Sequence, residues 1–355
     1  MNRNRYILFF CLTAALATIL SAALLLASLE IYLRLKGKKP FTLMPTDEDS
    51  VIVEPDPVRG WRNRPGVYTR WPARWAGDEW IKVTVWPAGN RATAQAPREG
   101  GRVIAVGCSY MAGFAISDEE TLAWKLQKIF PRLEILNYGT PGYGTYQALL
   151  LLEDYLRTSP APQMVIYGFV DFHQQRNVAA VEWQRNIRRK GGRGHAQVPY
   201  VTLDREGRLV RHAPEAYTVW PLSRHSAAID FLQSRLLSLR SGRSGASRQR
   251  LITAKLLVAM NDLCKARGTR LLVCVLGCRD ADLKEYLDML AKNGIEYVVC
   301  IPPRNTEIPM RAREGHPSPE LNSFWAARIA EYLKKTLLAS KTAEAVHGPP
   351  RTARR

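Results

Sequence analysis

The sequence is poor in acidic residues, histidines and cysteines. Its 355 residues include 51 lysines and arginines against 32 acidic residues, so the formal net charge is +19. A basic protein can bind nucleic acid, anionic lipid or an acidic polymer. The sequence has no zinc finger, no RNA-recognition signature and no basic recognition helix, and its arginines are spread along the chain. We therefore expect a solvated basic surface and no nucleic-acid partner.

The six cysteines are too few and too scattered for a disulfide framework. Cys11 lies in the apolar N-terminus, which leaves an odd number for pairing. Cys274 and Cys278 have no accompanying histidine pattern, which argues against a zinc site. Cys264 and Cys300, like Cys274, stand in apolar runs typical of a core. We expect neither a metal nor an organic cofactor.

Only one long apolar run is present, and it lies at the N-terminus. Residues 6 to 29 carry no charge. At about 1.5 Å per residue, these roughly 24 residues would span a hydrocarbon core about 30 Å thick. Leu25 and Ala27 make a poor cleavage site, so an uncleaved anchor is favoured over a signal peptide. Basic residues flank both ends of the run, and charge alone does not orient the chain.

The chain divides into four parts by composition. Residues 1 to 39 form the anchor and its flank, and residues 40 to 100 are a β-rich, irregular lead-in with many Pro, Trp and Arg. Residues 101 to 339 form the main domain, and residues 340 to 355 look like a basic, disordered tail. Within the main domain, residues 171 to 246 interrupt the pattern and are too long for a simple connection, which predicts a cap over the site.

Strands and helices alternate through the main domain. Such alternation predicts a parallel sheet with helices on both faces, and a ligand site at the carboxyl ends of the strands. The predicted strands are residues 102–106, 133–136, 163–169, 270–276 and 296–301, and the predicted helices are residues 119–130, 146–156, 251–267, 280–293 and 319–338.

Three features that could take part in catalysis follow predicted strands. Ser109 comes just after the first strand, residues 137 to 145 form a loop with three glycines after the second, and His316 follows the last. A serine hydroxyl needs a base, and histidine is suited to take its proton near neutral pH. Each feature alone also fits an ordinary helix cap, a tight turn or a surface histidine. Their joint position at one edge of the sheet favours a catalytic site.

At these residues the chain resembles the SGNH/GDSL hydrolase family. Residues 103–127 look like the first sequence block of that family, residues 137–147 like the second, residues 168–171 like the third and residues 314–316 like the last. The resemblance covers about residues 100 to 335. It implies a three-layer, flavodoxin-like α/β fold with a parallel sheet, behind an N-terminal transmembrane helix and with a cap-like insertion.

The same resemblance implies roles for individual residues. Ser109 would be the nucleophile, His316 the base and Glu314 the acid that orients the base. The backbone N–H groups of Ser109 and Gly142 would hold the oxyanion. Members with an N-terminal span are often exported and act on acylated glycans or related esters, and some carry acyl groups. The resemblance therefore implies a catalytic domain on the periplasmic side of the membrane.

The chain departs from the family pattern in three places. Cys108 replaces the usual aspartate before the nucleophile, and Arg313 stands where the catalytic aspartate is usual, which leaves Glu314 as its substitute. Val170 replaces the asparagine that donates to the oxyanion, and valine has nothing to donate. His173 or Asn177, on the segment that follows, could supply the missing donor; each could equally be a satisfied polar residue of the cap.

Three functions are compatible with these features. The first is a serine esterase that cleaves acyl esters, on a glycan or envelope polysaccharide, through an acyl-enzyme on Ser109. The second is an O-acyltransferase that passes the acyl group to a sugar hydroxyl. The third is a catalytically inactive, glycan-binding protein of the same fold, which the loss of the asparagine favours and the retention of Ser109 and His316 opposes.

Overall fold

The N-terminal apolar run forms one long helix. The computed structural model describes residues 3–44, 52–69, 81–94, 100–189, 197–243, 245–306, 308 and 316–347, with the backbone alone from residue 337. Helix α1 (Arg3–Leu35) contains a stretch that is long and apolar enough to cross a bilayer. Its side chains are exposed along almost the whole apolar run.

The described part of the lead-in contains two small antiparallel strand pairs. Strand β1 (Val53–Asp56) pairs with β2 (Gly60–Asn63), and β3 (Gly66–Tyr68) pairs with β4 (Val83–Val85). Trp61 is buried and donates its indole N–H to the Pro141 carbonyl at 2.9 Å. The other lead-in tryptophans are Trp86, which is half-buried, and three that lie outside the described residues.

The main domain begins at residue 102 and continues to the last helix. Its first half comprises β5 (Arg102–Gly107), α2 (Ser109–Ala112), α3 (Leu122–Ile129), β6 (Glu134–Asn137), α4 (Thr145–Thr158) and β7 (Met164–Val170). The insertion comprises α5 (His173–Asn177), α6 (Val181–Arg189), the hairpin of β8 (Val198–Leu203) and β9 (Leu209–Glu215), and α7 (Ala227–Ser241). The second half comprises α8 (Ala246–Ala266), β10 (Arg270–Gly277), α9 (Asp280–Lys292), β11 (Glu296–Val299) and α10 (Pro319–His347).

The five predicted strands form one parallel sheet. The strand order is β6-β5-β7-β10-β11, and every neighbouring pair is parallel. Numbered along the chain within this sheet, the order is 2-1-3-4-5, which is the flavodoxin-like order. The predicted three-layer α/β fold is confirmed.

Alternate residues of each strand face opposite layers, as the pleat requires. On β5, Ile104 and Val106 face the layer that holds α4, α8 and α9, whereas Val103 and Ala105 face the layer of α3 and α10. Both sets are almost completely buried. Because the strands are covered on both faces, their sequences read as continuous apolar runs.

The last helix continues beyond its expected end. Helix α10 reaches His347, past the boundary at residue 339 that was expected from composition. Residues 340 to 347 are therefore helical in backbone where a disordered tail was expected. Residues 348 to 355 lie outside the described residues.

The inserted segment that contains α7 is bonded to the C-terminal end of helix α1. The Glu30 carboxylate accepts hydrogen bonds from the Ser226 hydroxyl and the Ala228 N–H, both at 2.7 Å. A carboxylate at a helix N-terminus satisfies N–H groups that have no partner in the helix. Leu33 packs against Ala227 in a small buried cluster. Helix α7 of the cap therefore begins beside the end of the apolar run.

Arg91 ties the lead-in to the loop that follows α2. Its guanidinium forms a buried ion pair with Asp118 at 3.0 Å and donates to the carbonyl oxygens of Ala112, Gly113 and Ile116. Burial lowers the pKa of Arg91, and the Asp118 carboxylate opposes that shift. The Asp118 carboxylate thus compensates the buried charge of Arg91. Through its hydrogen bonds, Arg91 fixes the lead-in to the loop that follows α2.

We expect Arg91→Met to destabilise the protein strongly, because Asp118 would be left as a buried carboxylate without its cation. Breaking a buried ion pair in this way costs about 3 to 5 kcal/mol. Chemical denaturation of the full chain in detergent would measure the loss in the free energy of unfolding.

The matched control is Arg62→Met, which removes an ion pair with Glu54 in the same lead-in. Their side chains are 57% and 29% exposed, so the expected cost is at most about 1 kcal/mol. Equal, small losses for the two variants would contradict the role assigned to Arg91.

Candidate active site

Ser109 stands at the sharp turn between β5 and α2. The strand ends at Gly107, whose φ of 152° is rarely adopted by other residues, and Ser109 begins the helix. A side chain at Gly107 would also place its Cβ 3.0 Å from the Gly168 carbonyl oxygen. Glycine is therefore required for the turn. Ser109 is 5% exposed at the carboxyl edge of the sheet.

The glycine loop is bonded directly to this turn. The Asn137 side chain donates to the Met111 carbonyl at 3.1 Å, and the Thr140 N–H donates to the Gly107 carbonyl at 3.0 Å. Gly139 packs so closely that a Cβ there would lie 2.4 Å from the Ala112 nitrogen. The loop and the short helix are consequently held as one unit.

Two backbone N–H groups of this unit remain available for a ligand. Neither the N–H of Ser109 nor that of Gly142 makes a hydrogen bond to any residue that the structure describes. Gly142 has a φ of 90°, a conformation that favours glycine. Groups of this kind can stabilise negative charge on a carbonyl oxygen.

His316 lies against the helix that carries Ser109. Its ring centroid is 4.5 Å from that of Phe114 and 6.2 Å from that of Tyr110, the residue after Ser109. Ser318 caps the following helix by accepting the Leu321 N–H at 3.0 Å. The structure therefore places the His316 ring against Tyr110, the residue next to Ser109. We refer to the region around Ser109, Tyr110 and His316 as the crevice. Glu314 and Arg313 lie outside the described residues.

Asn177 is occupied by structural hydrogen bonds. Its side-chain oxygen accepts the Tyr146 N–H at 3.0 Å, and its nitrogen donates to the Thr145 and Thr253 hydroxyls at 3.2 and 2.9 Å. These bonds hold the start of α4 against α8. Both amide hydrogens are used, so the oxyanion donor expected at Asn177 has no N–H left to give in this arrangement.

His173 points into the aromatic core at the end of β7. Its Nδ1 lies 2.8 Å from the Tyr167 hydroxyl, and its ring contacts Phe169 and Phe172. Burial lowers the pKa of His173 well below its usual value, and the charge of Arg176 lowers it further. The imidazole is therefore held neutral. Val170 is buried and packs in the core, as its apolar side chain requires.

Arg176, which no sequence motif singles out, packs beside the glycine loop and the residue before Ser109. Its guanidinium lies over the rings of Phe172 and Trp183, at 4.2 and 4.4 Å from their centroids. It donates to the Tyr143 carbonyl at 2.8 Å and lies beside the Cys108 thiol. Burial lowers the pKa of Arg176. Its sequence context, on a short polar helix, gave no signal of this position.

A cavity of about 610 Å³ opens beside the crevice, between α5, α6 and the end of α7. Its walls are polar and apolar in about equal parts and include Phe172, Gln174, Arg235, Arg243, Gln249 and Arg279. The ring of Phe172 also contacts Tyr110 edge-on at 5.4 Å. One aromatic ring therefore separates the cavity from the residue next to Ser109.

The cavity walls hold polar groups with unused hydrogen-bonding capacity. Gln174 is buried, and its side-chain nitrogen has no hydrogen-bond partner among the described residues. Arg279 and Arg243 are paired with Asp171 and Glu215, whereas Arg235 makes no ion pair within the described part of the chain. Within that same part, no group of three or more His, Cys, Asp or Glu side chains could hold a metal ion.

No family model and no curated protein matches the sequence. Several solved structures are similar to the chain at low identity. One is a lipolytic protein of the G-D-S-L family from Veillonella parvula, with a TM-score of 0.37, 13% identity, and 65% of this chain and 96% of that chain covered. Another is the esterase EstA from Pseudoalteromonas sp., with a TM-score of 0.38, 11% identity, and 67% and 98% covered.

An acetylxylan esterase from Geobacillus stearothermophilus is also similar, with a TM-score of 0.35, 9% identity, and 67% of this chain and 95% of that chain covered. At these identities and TM-scores, the likenesses transfer neither residue roles nor a substrate to this chain. The function of this chain is therefore inferred from Ser109 and the groups around it.

Proposed function

We propose that the protein is a serine hydrolase that cleaves acyl esters through an acyl-enzyme on Ser109. One observation carries the proposal: Ser109 lies at a strand-end turn that is bonded to the glycine loop, its N–H and that of Gly142 are unbonded within the described residues, and the His316 ring packs against Tyr110 of the same short helix. A nucleophile, a base and oxyanion donors at one place are the requirements for acyl transfer.

The reaction proceeds in two steps. The Ser109 hydroxyl attacks the ester carbonyl carbon while His316 takes its proton, and the negative charge forms on the former carbonyl oxygen. The intermediate then expels the alcohol, which receives the proton from His316 and leaves the acyl group on Ser109. Water, activated by His316, attacks this second ester and releases the acid. We assign Glu314 to orient His316 and to stabilise its protonated form.

The alcohol part of the substrate is a glycan in this proposal, and the cavity beside the crevice is its site. The amide and guanidinium groups of the cavity can bind the hydroxyl groups of a glycan, and Phe172 can pack against the face of a sugar ring. The same cavity would serve an O-acyltransferase, in which a sugar hydroxyl replaces water in the second step. Formation of an acylated sugar from p-nitrophenyl acetate and xylotetraose would identify transfer.

The protein is further proposed to be anchored in a membrane by α1, with its catalytic domain outside the cytoplasm. We expect the full chain to stay in the membrane fraction at high salt. A variant without residues 1 to 26 keeps Glu30 at the foot of the cap, and it should be released. A mature chain that begins near Ser28 would instead indicate a cleaved signal, and a reporter fused after Arg355 would test the orientation.

We expect a fluorophosphonate to label the wild type and to leave Ser109→Ala unlabelled, because only an activated serine reacts with this probe.

Glu314→Gln should fold normally and lower turnover of p-nitrophenyl acetate, by up to about 10⁴-fold for a triad carboxylate. Gel fluorescence and initial rates would measure the two effects.

Ser323→Ala, an exposed serine on α10, is the control and should be labelled as the wild type is. Labelling that persists in Ser109→Ala would contradict the nucleophile. A folded wild type that is inert to the probe and to esters would favour the inactive, glycan-binding alternative.

If the cavity binds the glycan, changes in its walls should affect hydrolysis of an acetylated glycan and not hydrolysis of a small ester. Arg235→Ala and Gln174→Ala should lower kcat/KM for a partially acetylated xylotetraose roughly tenfold, about the effect of one lost hydrogen bond to a charged or buried group. Both variants should hydrolyse p-nitrophenyl acetate at the wild-type rate, because that ester does not reach the cavity.

Arg240→Ala provides the matched control, since it is exposed on the same helix and does not line the cavity. It should leave both substrates unaffected. Equal losses on the two esters in Arg235→Ala, or no loss on either, would rule out the cavity as a glycan site.

A further inference from the structure

The Arg176 guanidinium is held in a fixed position. It lies over the rings of both Phe172 and Trp183, and the Tyr143 carbonyl accepts one of its N–H groups. Aromatic faces attract a cation and also limit its movement. The two rings and the Tyr143 carbonyl therefore restrict the directions in which its remaining N–H groups can point.

The positive charge of Arg176 has no carboxylate partner within the described residues. No ion pair to Asp or Glu is present there, and its polar neighbours include the Cys108 thiol and the hydroxyl groups of Tyr110 and Tyr167. A half-buried guanidinium with no anion beside it loses part of its hydration, and this loss is costly to the folded state. A residue held at such a cost suggests a site built for a negative charge that appears during function.

The neighbours of Arg176 fix where that charge would be. Cys108 immediately precedes Ser109, and Tyr143 immediately follows Gly142. Arg176 therefore contacts the residues that adjoin both unbonded backbone N–H groups. Gly144 is equally close, since a Cβ there would lie 2.9 Å from the Arg176 Cβ. Arg176 therefore lies beside both chain segments that carry the unbonded N–H groups.

We propose that Arg176 is a catalytic residue that donates an N–H to the oxyanion formed at the substrate carbonyl. It replaces the side-chain donor that Val170 cannot supply and Asn177 has already used. The inference rests on the proposed ester hydrolysis. A guanidinium remains protonated throughout the reaction, so it stabilises the oxyanion by charge as well as by a hydrogen bond.

Kinetics of Arg176→Ala and Arg176→Lys in the full chain test this role. With p-nitrophenyl acetate, kcat of Arg176→Ala should fall about 10²- to 10³-fold, the cost of one oxyanion donor, while KM changes less than threefold. Arg176→Lys should keep part of the rate, and added guanidinium ion should restore part of the rate of Arg176→Ala. Sodium chloride at equal ionic strength should not.

A boronic acid gives a second measurement, because its adduct with Ser109 carries the negative charge of the intermediate. Its affinity, measured by calorimetry, should fall in Arg176→Ala by the same factor as kcat. The matched control is Arg64→Ala, which removes another half-buried arginine lying over a ring, that of Tyr68 at 5.6 Å, and should change neither quantity.

A rise in KM with unchanged kcat would overturn the proposal and make Arg176 a group that binds the ground state. A loss of rate that follows a loss of folded protein, without guanidinium rescue, would overturn it in favour of a structural role. Neither result affects labelling of Ser109 by the fluorophosphonate. A wild type that is inert to ester and probe would contradict the proposed hydrolysis, and the oxyanion role with it.

Discussion

The crevice depends on the hydrogen bonds that join the nucleophile turn to the glycine loop. Because Thr140 bonds to Gly107 and Asn137 bonds to Met111, the carboxyl ends of β5 and β6 are locked together at the positions of Ser109 and Gly142. Separate loops would have to be ordered by the substrate, at a cost in binding free energy. Arg91 extends this rigidity by fixing the loop after α2 to the lead-in.

The sheet was predictable from the sequence because its constraints are local. Each strand is a short apolar run, and each is followed by a helix long enough to cover it, so the parallel sheet follows from the alternation. The position of Ser109 at the carboxyl edge of the sheet was also predictable, since residues that follow parallel strands meet at that edge. The end of α10 was not predicted, because composition does not locate the end of an exposed helix.

The polar network of the insertion could not be predicted from residue type. Asn177 and Arg176 are neighbours in the sequence, and either could donate to an oxyanion. The structure directs the Asn177 amide to Thr145 and Thr253, and the Arg176 guanidinium to the glycine loop. Which neighbour faces the crevice depends on how the short helix α5 packs. That packing depends on residues that are distant in the sequence, so a local sequence pattern does not predict it.

The most direct test of the central claim is to trap the acyl-enzyme. The full chain would be mixed with p-nitrophenyl acetate, quenched in acid within the first turnover, digested, and measured by peptide mass spectrometry. Acetyl-enzyme chemistry predicts an acetyl group on Ser109 that appears with the burst of p-nitrophenol and is absent from Ser109→Ala. Release of p-nitrophenol with no acetylated Ser109, or with the acetyl group on another residue, would contradict the claim.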